Sequence, residues 1–270
     1  MDEIAKYNIK RWSALAEANA LWTRPWLGLD ADSARRRLDP EGWLGDVRTK
    51  RVLCLASGGG QQAAAFALLG AKITSFDLSE LQLQRDREAA AHYNVPIETI
   101  QGDMRDLSHF DIAAFDVVYH GHSLNFVPDA RVVFSGVARI LRRDGIYHFS
   151  CHNPFFLGLE ETDWNGNGYI LKQYYIQGTE ITSEDSEWVY DRSKRLGEPI
   201  QRPREYRHTL SAIVNGLVEQ GFVILHMEDT AGIHPNPNAE PGTWDHFVSM
   251  APPWLDFWAS YRPYVFDRGQ

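Results

Sequence analysis

The pattern of hydrophobic and polar positions along this chain changes at Arg51. From there, short apolar runs alternate with stretches that are typical of helices. Continuous apolar runs of this kind are typical of parallel strands that are buried on both faces of a sheet. Five such β-α repeats predict an open α/β sheet. The predicted strands are RVLCLA, KITSFD, IETIQGD, FDVVYHG and GIYHFSC, and the stretches between them include AAAFALLG, SELQLQRDREAAAHYN and ARVVFSGVARILRRD.

Two segments with a different pattern flank or interrupt this alternation. The first 45 or so residues are amphipathic, rich in tryptophan and broken at Pro25, which predicts a helical cap. After Cys151 the alternation stops for about fifty residues, then returns in HTLSAIVNGLVEQGFVILHMED and a last strand, PPWLDFWASYRP. We therefore predict one domain over 1–270, with a cap at 1–45, a Rossmann-like core at 46–152 and 206–262, and a substrate-lid insertion at 153–205.

Composition narrows the class of protein. A chain of 270 residues with 44% hydrophobic residues can bury a full core. Its start has no apolar signal segment, and no apolar run approaches the roughly 18 residues of a membrane span, so we predict a soluble, cytoplasmic protein without a membrane partner. A net charge of −9 opposes nucleic-acid binding. Only two cysteines, Cys54 and Cys151, are present, which favours neither a disulfide framework nor a zinc site.

A run of three glycines follows the first predicted strand, in LCLASGGGQQAAAF. A bend between a strand and a helix brings free backbone N–H groups and the positive end of the helix toward a ligand. Gly58, Gly60 and Ala63 also satisfy the dinucleotide pattern GxGxxG/A. By itself the bend is compatible with a dinucleotide, a nucleoside or only a tight turn.

Acidic residues at the next two strand ends favour a nucleoside. Asp77 ends the second predicted strand, where a carboxylate can accept hydrogen bonds from both hydroxyls of a ribose. The third strand ends in Gly102, Asp103 and Met104, where a carboxylate can bind the adenine amino group and a thioether can pack on the ring. Three consecutive strand ends therefore predict one nucleoside site.

These motifs resemble the class I S-adenosylmethionine-dependent methyltransferases, and among them the small-molecule enzymes of the ubiquinone-biosynthesis type. The first motif, VLCLASGGG, differs from the usual VLDLGCGTG because Cys54 replaces an acidic residue and Ala56 the first glycine. DLSELQL, GDMRDL and FDVVYHGHSLNFVPD resemble the next three motifs. The resemblance implies S-adenosylmethionine as cofactor and a seven-stranded, doubly wound sheet of order 3-2-1-4-5-7-6 whose last strand is antiparallel.

The resemblance also implies which residues contact the cofactor and the methyl acceptor. The expected cofactor contacts are Ala56, Ser57, Gly58, Gly60, Gln62, Asp77, Leu78, Gln82, Asp103, Met104 and His120. The expected substrate pocket contains Tyr7 and Trp12 from the cap, Phe155 and Phe156 from the insertion, and His152 after the fifth predicted strand. Such aromatic residues suit an apolar or aromatic small molecule, although they also pack cores and bind cations.

Three histidines are candidates for a general base. His120 and His122 follow the fourth predicted strand, and His152 follows the fifth, where this family presents residues to cofactor and substrate. We predict His120 and His122 as catalytic, although each of the three is also compatible with a structural role. An HxH pair without a nearby third ligand does not predict a metal site.

The predicted function is methyl transfer from S-adenosylmethionine to a small, apolar or aromatic metabolite by in-line displacement, in a monomer or homodimer. Two alternatives remain open at this point. One is an NAD(P)-dependent oxidoreductase, which the GxGxxG/A match permits. The other is a protein that binds S-adenosylmethionine without transferring its methyl group, which the unusual Cys54 and Ala56 permit.

Overall fold

The computed structural model describes residues 1–182, 200–231 and 234–265, so residues 183–199 of the predicted insertion lie outside the described part. Sixteen helices and strands follow one another along these residues. They are α1 (Glu3–Glu17), α2 (Ala31–Leu38), β1 (Arg51–Leu55), α3 (Gln62–Leu68), β2 (Lys72–Asp77), α4 (Glu80–Tyr93), β3 (Ile97–Gln101), β4 (Phe115–His120), α5 (Ala130–Ile140), β5 (Leu141–His152), β6 (Glu180–Ile181), β7 (Glu205–Tyr206), α6 (Leu210–Glu219), β8 (Phe222–Thr230), α7 (Trp244–Met250) and β9 (Trp254–Tyr261).

Seven of the strands form one mixed sheet in the order β3-β2-β1-β4-β5-β9-β8. Strands β1 to β5 are parallel, and β9 runs antiparallel between β5 and β8. In the numbering of the main sheet this is 3-2-1-4-5-7-6 with the last strand antiparallel. The predicted fold class is therefore confirmed, and β6 and β7 form a separate two-stranded ribbon.

Alternating side chains of the sheet enter two hydrophobic clusters. Leu53 and Val118 belong to a cluster that α5 and α6 cover, while Val52 and Val117 belong to a second cluster under α2 and α3. Because successive residues of a strand point to opposite faces, these clusters lie on the two sides of the sheet. Both faces are buried, which explains the continuous apolar runs.

Two connections differ from the predicted pattern. Residues 102–114, between β3 and β4, form turns without a helix, so the predicted β-α repeat is incomplete at the third strand. This stretch is held by Leu107 and Phe110, which pack into the core cluster of α5 and α6. Between β8 and β9, helix α7 was not predicted, and its Phe247 is almost fully buried. The division into cap, core and insertion stays a prediction, with α1 and α2 preceding the sheet and β6 and β7 following β5.

Candidate active site

The glycine bend is a tight loop between β1 and α3. Gly59 and Gly60 have φ of 121° and 73°, which is the region that glycine adopts without strain. A Cβ at Gly60 would lie 2.5 Å from the carbonyl oxygen of Arg85, and one at Gly58 would lie 2.6 Å from Cβ of Gln82. The glycines therefore let the loop pack directly against α4.

The first residue of the loop departs from this pattern. Ala56, which stands where the resembling family has a glycine, has φ of 46°. Its backbone N–H donates to the carbonyl of Phe76 at 2.7 Å. A left-handed conformation at an alanine costs about 1 kcal/mol relative to glycine. The hydrogen bond to β2 helps to hold Ala56 in this conformation.

Two carboxylates accept hydrogen bonds from the backbone of the glycine loop. Asp77 Oδ2 accepts from the Gly58 N–H at 3.0 Å, and its Oδ1 accepts from the Ser79 N–H at 2.8 Å. Asp86 Oδ1 accepts from the Gly60 N–H at 2.8 Å, and its Oδ2 accepts from the Ser75 hydroxyl at 2.6 Å. Alternate amides of the loop are thus bound by carboxylates of β2 and α4. Sequence reasoning identified Asp77 and missed Asp86, which lies inside a helix without a motif.

Both carboxylates have raised pKa values. Burial raises the pKa of Asp77, while its backbone N–H donors act in the opposite direction. Burial raises the pKa of Asp86 to about 7, and the charge of Asp77 adds to that effect. Desolvation disfavours the charged form of a carboxyl group, and these groups have amide donors instead of a basic partner.

The residues at this loop fit a nucleoside with a polar tail. Gln82 Oε1 is buried without a hydrogen-bond partner and lies 3.3 Å from where a Cβ at Gly59 would be. At the end of β4, the position of a Cβ at Gly121 is 3.6 Å from Cβ of Ser57 and 3.7 Å from Nε2 of Gln62. Ser57 and Gln62 therefore lie beside the end of β4, and Asp77 and Gln82 lie beside Gly58 of the same loop.

The predicted adenine contacts lie at the end of β3. Asp103 is bound by the guanidinium of Arg105 at 2.6 Å, and the same guanidinium binds Asp2 at the start of α1. Met104 is partly buried and packs against the main core cluster. Nearby, the carbonyl of Leu78 accepts from the side chain of Gln101. Asp103 therefore lies at a junction between β3 and the first helix.

A segment before α2 covers the glycine loop. The Trp26 N–H donates to the carbonyl of Gly60 at 3.0 Å, and the side chain of Gln61 donates to the carbonyl of Arg24 at 3.0 Å. Pro25 lies 2.8 Å from where a Cβ at Gly60 would be. The sequence break at Pro25 therefore coincides with the place where the N-terminal segment turns over the loop.

His120 is buried in the fold. Its Nδ1 shares a hydrogen bond with the Tyr147 hydroxyl at 3.0 Å, and its Nε2 shares one with the Ser123 hydroxyl at 2.7 Å. Its side chain is 0% exposed, and burial lowers its pKa to about 3. In this geometry both ring nitrogens are occupied by protein partners, and the imidazole is neutral at physiological pH.

His122 and His152 meet at the ends of β4 and β5. Their ring centroids are 4.5 Å apart in an edge-to-face arrangement. Nε2 of His152 lies 2.8 Å from Oε1 of Glu205, which follows the insertion on β7. Nε2 of His122 is buried without a hydrogen-bond partner. Glu205 was missed because it is about fifty residues from His152, and the sequence gives no signal for this pairing.

The two histidines have opposite pKa shifts. Burial, together with the neighbouring His152 and His120, lowers the pKa of His122 well below its usual value. Burial by itself lowers the pKa of His152, but the charge and hydrogen bond of Glu205 outweigh burial, so the pKa of His152 is raised. Environments that separate the pKa values of adjacent groups are typical of proton-transfer sites. We call His122, His152 and Glu205 the histidine cluster.

The predicted substrate-pocket residues fall into two groups. On α1, Tyr7 donates to the carbonyl of Arg202 at 2.7 Å, and the ring of Trp12 meets Phe126 edge-to-face at 5.4 Å. After β5, Phe155 is 55% exposed, while Phe156 is 8% exposed and packs on α7. Helix α1 therefore contacts the segment after β4 and the end of the insertion, and Phe156 packs in a hydrophobic contact with α7.

A third group of polar residues lies away from these sites. Ligand atoms of Glu41, His226 and Glu228 are all within 4.8 Å of one another, at the edge strand β8. Both glutamates are exposed. The group is separated from the glycine loop by the width of several strands.

Comparison with known proteins identifies the fold and a methyltransferase domain. Residues 53–149 match the sequence profile of the methyltransferase domain. The chain is 28% identical to the uncharacterised methyltransferase YbaJ of Bacillus subtilis over 86% of this chain and 92% of that protein. A crystal structure of a putative S-adenosylmethionine-dependent methyltransferase from Listeria monocytogenes has the same fold, with a TM-score of 0.65, 20% identity and coverage of 86% of this chain and 98% of that one. Residues 53–149 therefore form a methyltransferase domain, and the chain resembles the class I S-adenosylmethionine-dependent methyltransferases.

A ubiquinone biosynthesis O-methyltransferase of Neisseria meningitidis is 34% identical to this methyltransferase, over 43% of this chain and 50% of that protein. That match is confined to part of each chain, whereas the similarity to YbaJ covers most of both. In the described residues of this methyltransferase, no helix is both long and apolar enough to cross a membrane.

Proposed function

We propose that this methyltransferase transfers the methyl group of S-adenosylmethionine to a small, apolar or aromatic molecule by in-line displacement. The main observation behind the proposal is that the carboxylate of Asp77 accepts a hydrogen bond from the Gly58 N–H of the glycine loop at 3.0 Å. A carboxylate at this strand end, beside a glycine loop that follows the neighbouring strand, suits the ribose of a nucleoside. We further propose that the protein acts in the cytoplasm as a monomer or homodimer, without nucleic acid or a membrane as partner.

The cofactor would be held by residues of the glycine loop and the neighbouring strand ends. Asp77 retains lone pairs for ribose hydroxyls beyond the two amide donors it accepts. Gln82 supplies a buried carbonyl oxygen that has no protein partner. When bound, S-adenosylmethionine supplies an electrophilic methyl group on a positively charged sulfur. The remaining contacts that we propose are Ala56, Ser57, Gly58, Gly60, Gln62, Leu78, Asp103 and Met104.

The protein contributes mainly position and exclusion of water. Helix α1 contributes by holding the segment after β4, because the side chain of Asn8 donates to the carbonyl of Phe126 at 3.1 Å. His120 fixes the end of β4 through Tyr147 and Ser123. Orienting a nucleophile in line with a methyl group can account for much of the catalysis of such a reaction.

We assign proton removal to the histidine cluster rather than to His120. Neutral His122 has a free ring nitrogen, whereas both nitrogens of His120 are occupied. Glu205 raises the pKa of His152, and the imidazolium form of His152 would stabilise negative charge that develops on the acceptor. This pair suits an acceptor that loses a proton as it is methylated, and a hydroxyl group on an aromatic ring is our leading candidate. The name of the O-methyltransferase relative is consistent with that choice.

Two measurements test the proposal separately. Isothermal titration with S-adenosylhomocysteine tests the cofactor, and we expect saturable binding; absence of binding overturns the proposal, and NADH fluorescence enhancement in its place would favour an oxidoreductase. Transfer of labelled methyl from S-adenosylmethionine to a panel of phenols, amines and thiols tests the reaction. We expect phenols to be labelled by the wild type and His122→Asn to lose that labelling. Binding without transfer to any acceptor or to a metabolite extract would favour a protein that uses the cofactor without methylation.

A further inference from the structure

Asp86 is a buried carboxylate that the proposed reaction does not use. Its side chain is 0% exposed, and among the described residues no basic side chain lies within ion-pair distance of it. Its two oxygens instead accept from the Gly60 N–H and the Ser75 hydroxyl. A buried carboxylate without a basic partner costs free energy, so its hydrogen bonds identify what it stabilises. Here the stabilised group in the glycine loop is the Gly60 N–H.

The ionisable groups near Asp86 lie on two strands, β1 and β2, and on helix α4. Asp77 on β2 repels it, and Arg87 on α4 attracts it weakly. On β1, Cys54 pairs with Ser75 across the sheet, and its thiol has a pKa that burial raises well above the usual value, with a further contribution from Asp86. Cys54 is therefore neutral. Asp77 and Asp86 are the two carboxylates that bind alternate amides of the loop, Gly58 and Gly60.

The charge of Asp86 decides how strongly it holds the loop. As a carboxylate it accepts both hydrogen bonds, and a charged acceptor binds an amide more strongly than a neutral one. Once protonated, it has to donate on one side, to Ser75, and the bond from Gly60 becomes a weaker, neutral hydrogen bond. Because burial raises the pKa of Asp86 to about 7, the carboxyl takes up a proton as the pH falls through neutrality.

We propose that Asp86 is a positioning residue that holds the glycine loop in its cofactor-binding conformation, and that cofactor affinity rises as Asp86 ionises. The inference rests on the proposed function, because the loop is taken as the cofactor site. Asp86 acts through Gly60 and does not touch the cofactor. Asp86 also places a carboxylate of α4 next to the glycine loop. On β1, Cys54 is neutral and stands where the resembling family has an acidic residue.

The test is the affinity for S-adenosylhomocysteine, measured by isothermal titration from pH 5.5 to 8.5. We expect the wild-type affinity to fall about tenfold toward the acid end, since a charged hydrogen bond exceeds a neutral one by about 1.4 kcal/mol. Asp86→Asn should show the low affinity with little pH dependence from this site. Glu88→Gln is the matched control, because Glu88 is an exposed carboxylate on the same helix, and it should follow the wild type.

A second variant keeps the test decisive if Asp86→Asn does not fold. Ser75→Ala leaves the carboxyl in place but removes the donor to Oδ2, so the midpoint of the pH profile should move to higher pH. A Ser75→Ala profile with the wild-type midpoint would overturn the role of Asp86 while leaving the cofactor site intact, and so would an Asp86→Asn profile parallel to that of the wild type. No binding by the wild type at any pH would instead overturn the proposed function.

Discussion

The two halves of the candidate active site are built in different ways. The centre of the cofactor half is the glycine loop with Asp77 and Asp86, and these parts lie between β1 and α4. The acceptor half joins His122 after β4, His152 at the end of β5 and Glu205 on β7, which are separated by long stretches of chain. The cofactor half is a local β-α-β-α unit, whereas the acceptor half exists only when β4, β5 and the end of the insertion come together.

Because the two halves are built separately, we expect mutations to affect cofactor binding and histidine protonation independently. Changes in the cofactor half should alter affinity for S-adenosylhomocysteine and leave the protonation of the histidine cluster unchanged. Changes in the acceptor half should do the reverse. Effects on distant sites without shared partners are usually additive within a few tenths of a kcal/mol.

The largest effect is expected for Asp77→Ala, which removes the carboxylate that binds Gly58 and Ser79. We expect the affinity for S-adenosylhomocysteine to fall about a hundredfold, which corresponds to about 2.7 kcal/mol. Isothermal titration measures this loss. Glu80→Gln, an exposed carboxylate at the start of α4, serves as the control and should keep the wild-type affinity. Unchanged binding by Asp77→Ala would remove Asp77 from the cofactor half.

His120→Ala should act on the fold rather than on either half of the site. It leaves the buried hydroxyls of Tyr147 and Ser123 without their imidazole partner and opens a cavity. We expect a loss of about 2 kcal/mol or more in the free energy of unfolding, measured by urea denaturation. His122→Ala should cost less, because Nε2 of His122 has no protein partner. A stable His120→Ala protein that binds cofactor but has lost turnover would make His120 the catalytic group instead.

Glu205→Gln should lower the pKa of His152, since Glu205 is the cause of its raised value. A nearby opposite charge shifts a pKa by about 1 unit or more. NMR titration of the histidine ring measures the shift, and binding of S-adenosylhomocysteine should be unchanged. Because His152 gains stability from Glu205 when it is protonated, the stability lost in the variant should be greatest at acid pH and disappear as the pH rises through the wild-type pKa. Equal destabilisation at all pH values would contradict this pairing.

The smallest effect is expected for Ala56→Gly, in the cofactor half. Glycine removes the cost of φ at 46°, although it also increases the entropy of the unfolded chain. We expect the free energy of unfolding to rise by up to about 1 kcal/mol, measured by urea denaturation. Ala67→Gly, inside helix α3, is the opposing control and should destabilise by a similar amount. Destabilisation by both substitutions would show that Ala56 is not strained.

In each half, some site residues could be predicted from the sequence and others could not. Asp77 was recognisable because the end of a predicted strand places its side chain beside the loop of the preceding strand. Asp86 was not recognisable, because a carboxylate inside an amphipathic helix usually faces water, and only the packing of α4 shows that it is buried. Likewise, the sequence placed His122 and His152 at neighbouring strand ends, but it gave no reason to join Glu205 to them.

The sequence by itself determined the α/β class and the glycine bend, because strand periodicity and tight turns are local features along the chain. Its motifs also resembled those of a family, and that resemblance implied the order of the sheet. Only the tertiary structure decided the states of the ionisable groups. Whether His120 is buried and doubly bonded, His152 is charged, or Asp86 holds the loop depends on burial and on partners from other elements. Desolvation and hydrogen bonding act through distances in space, and separation along the chain does not reveal those distances.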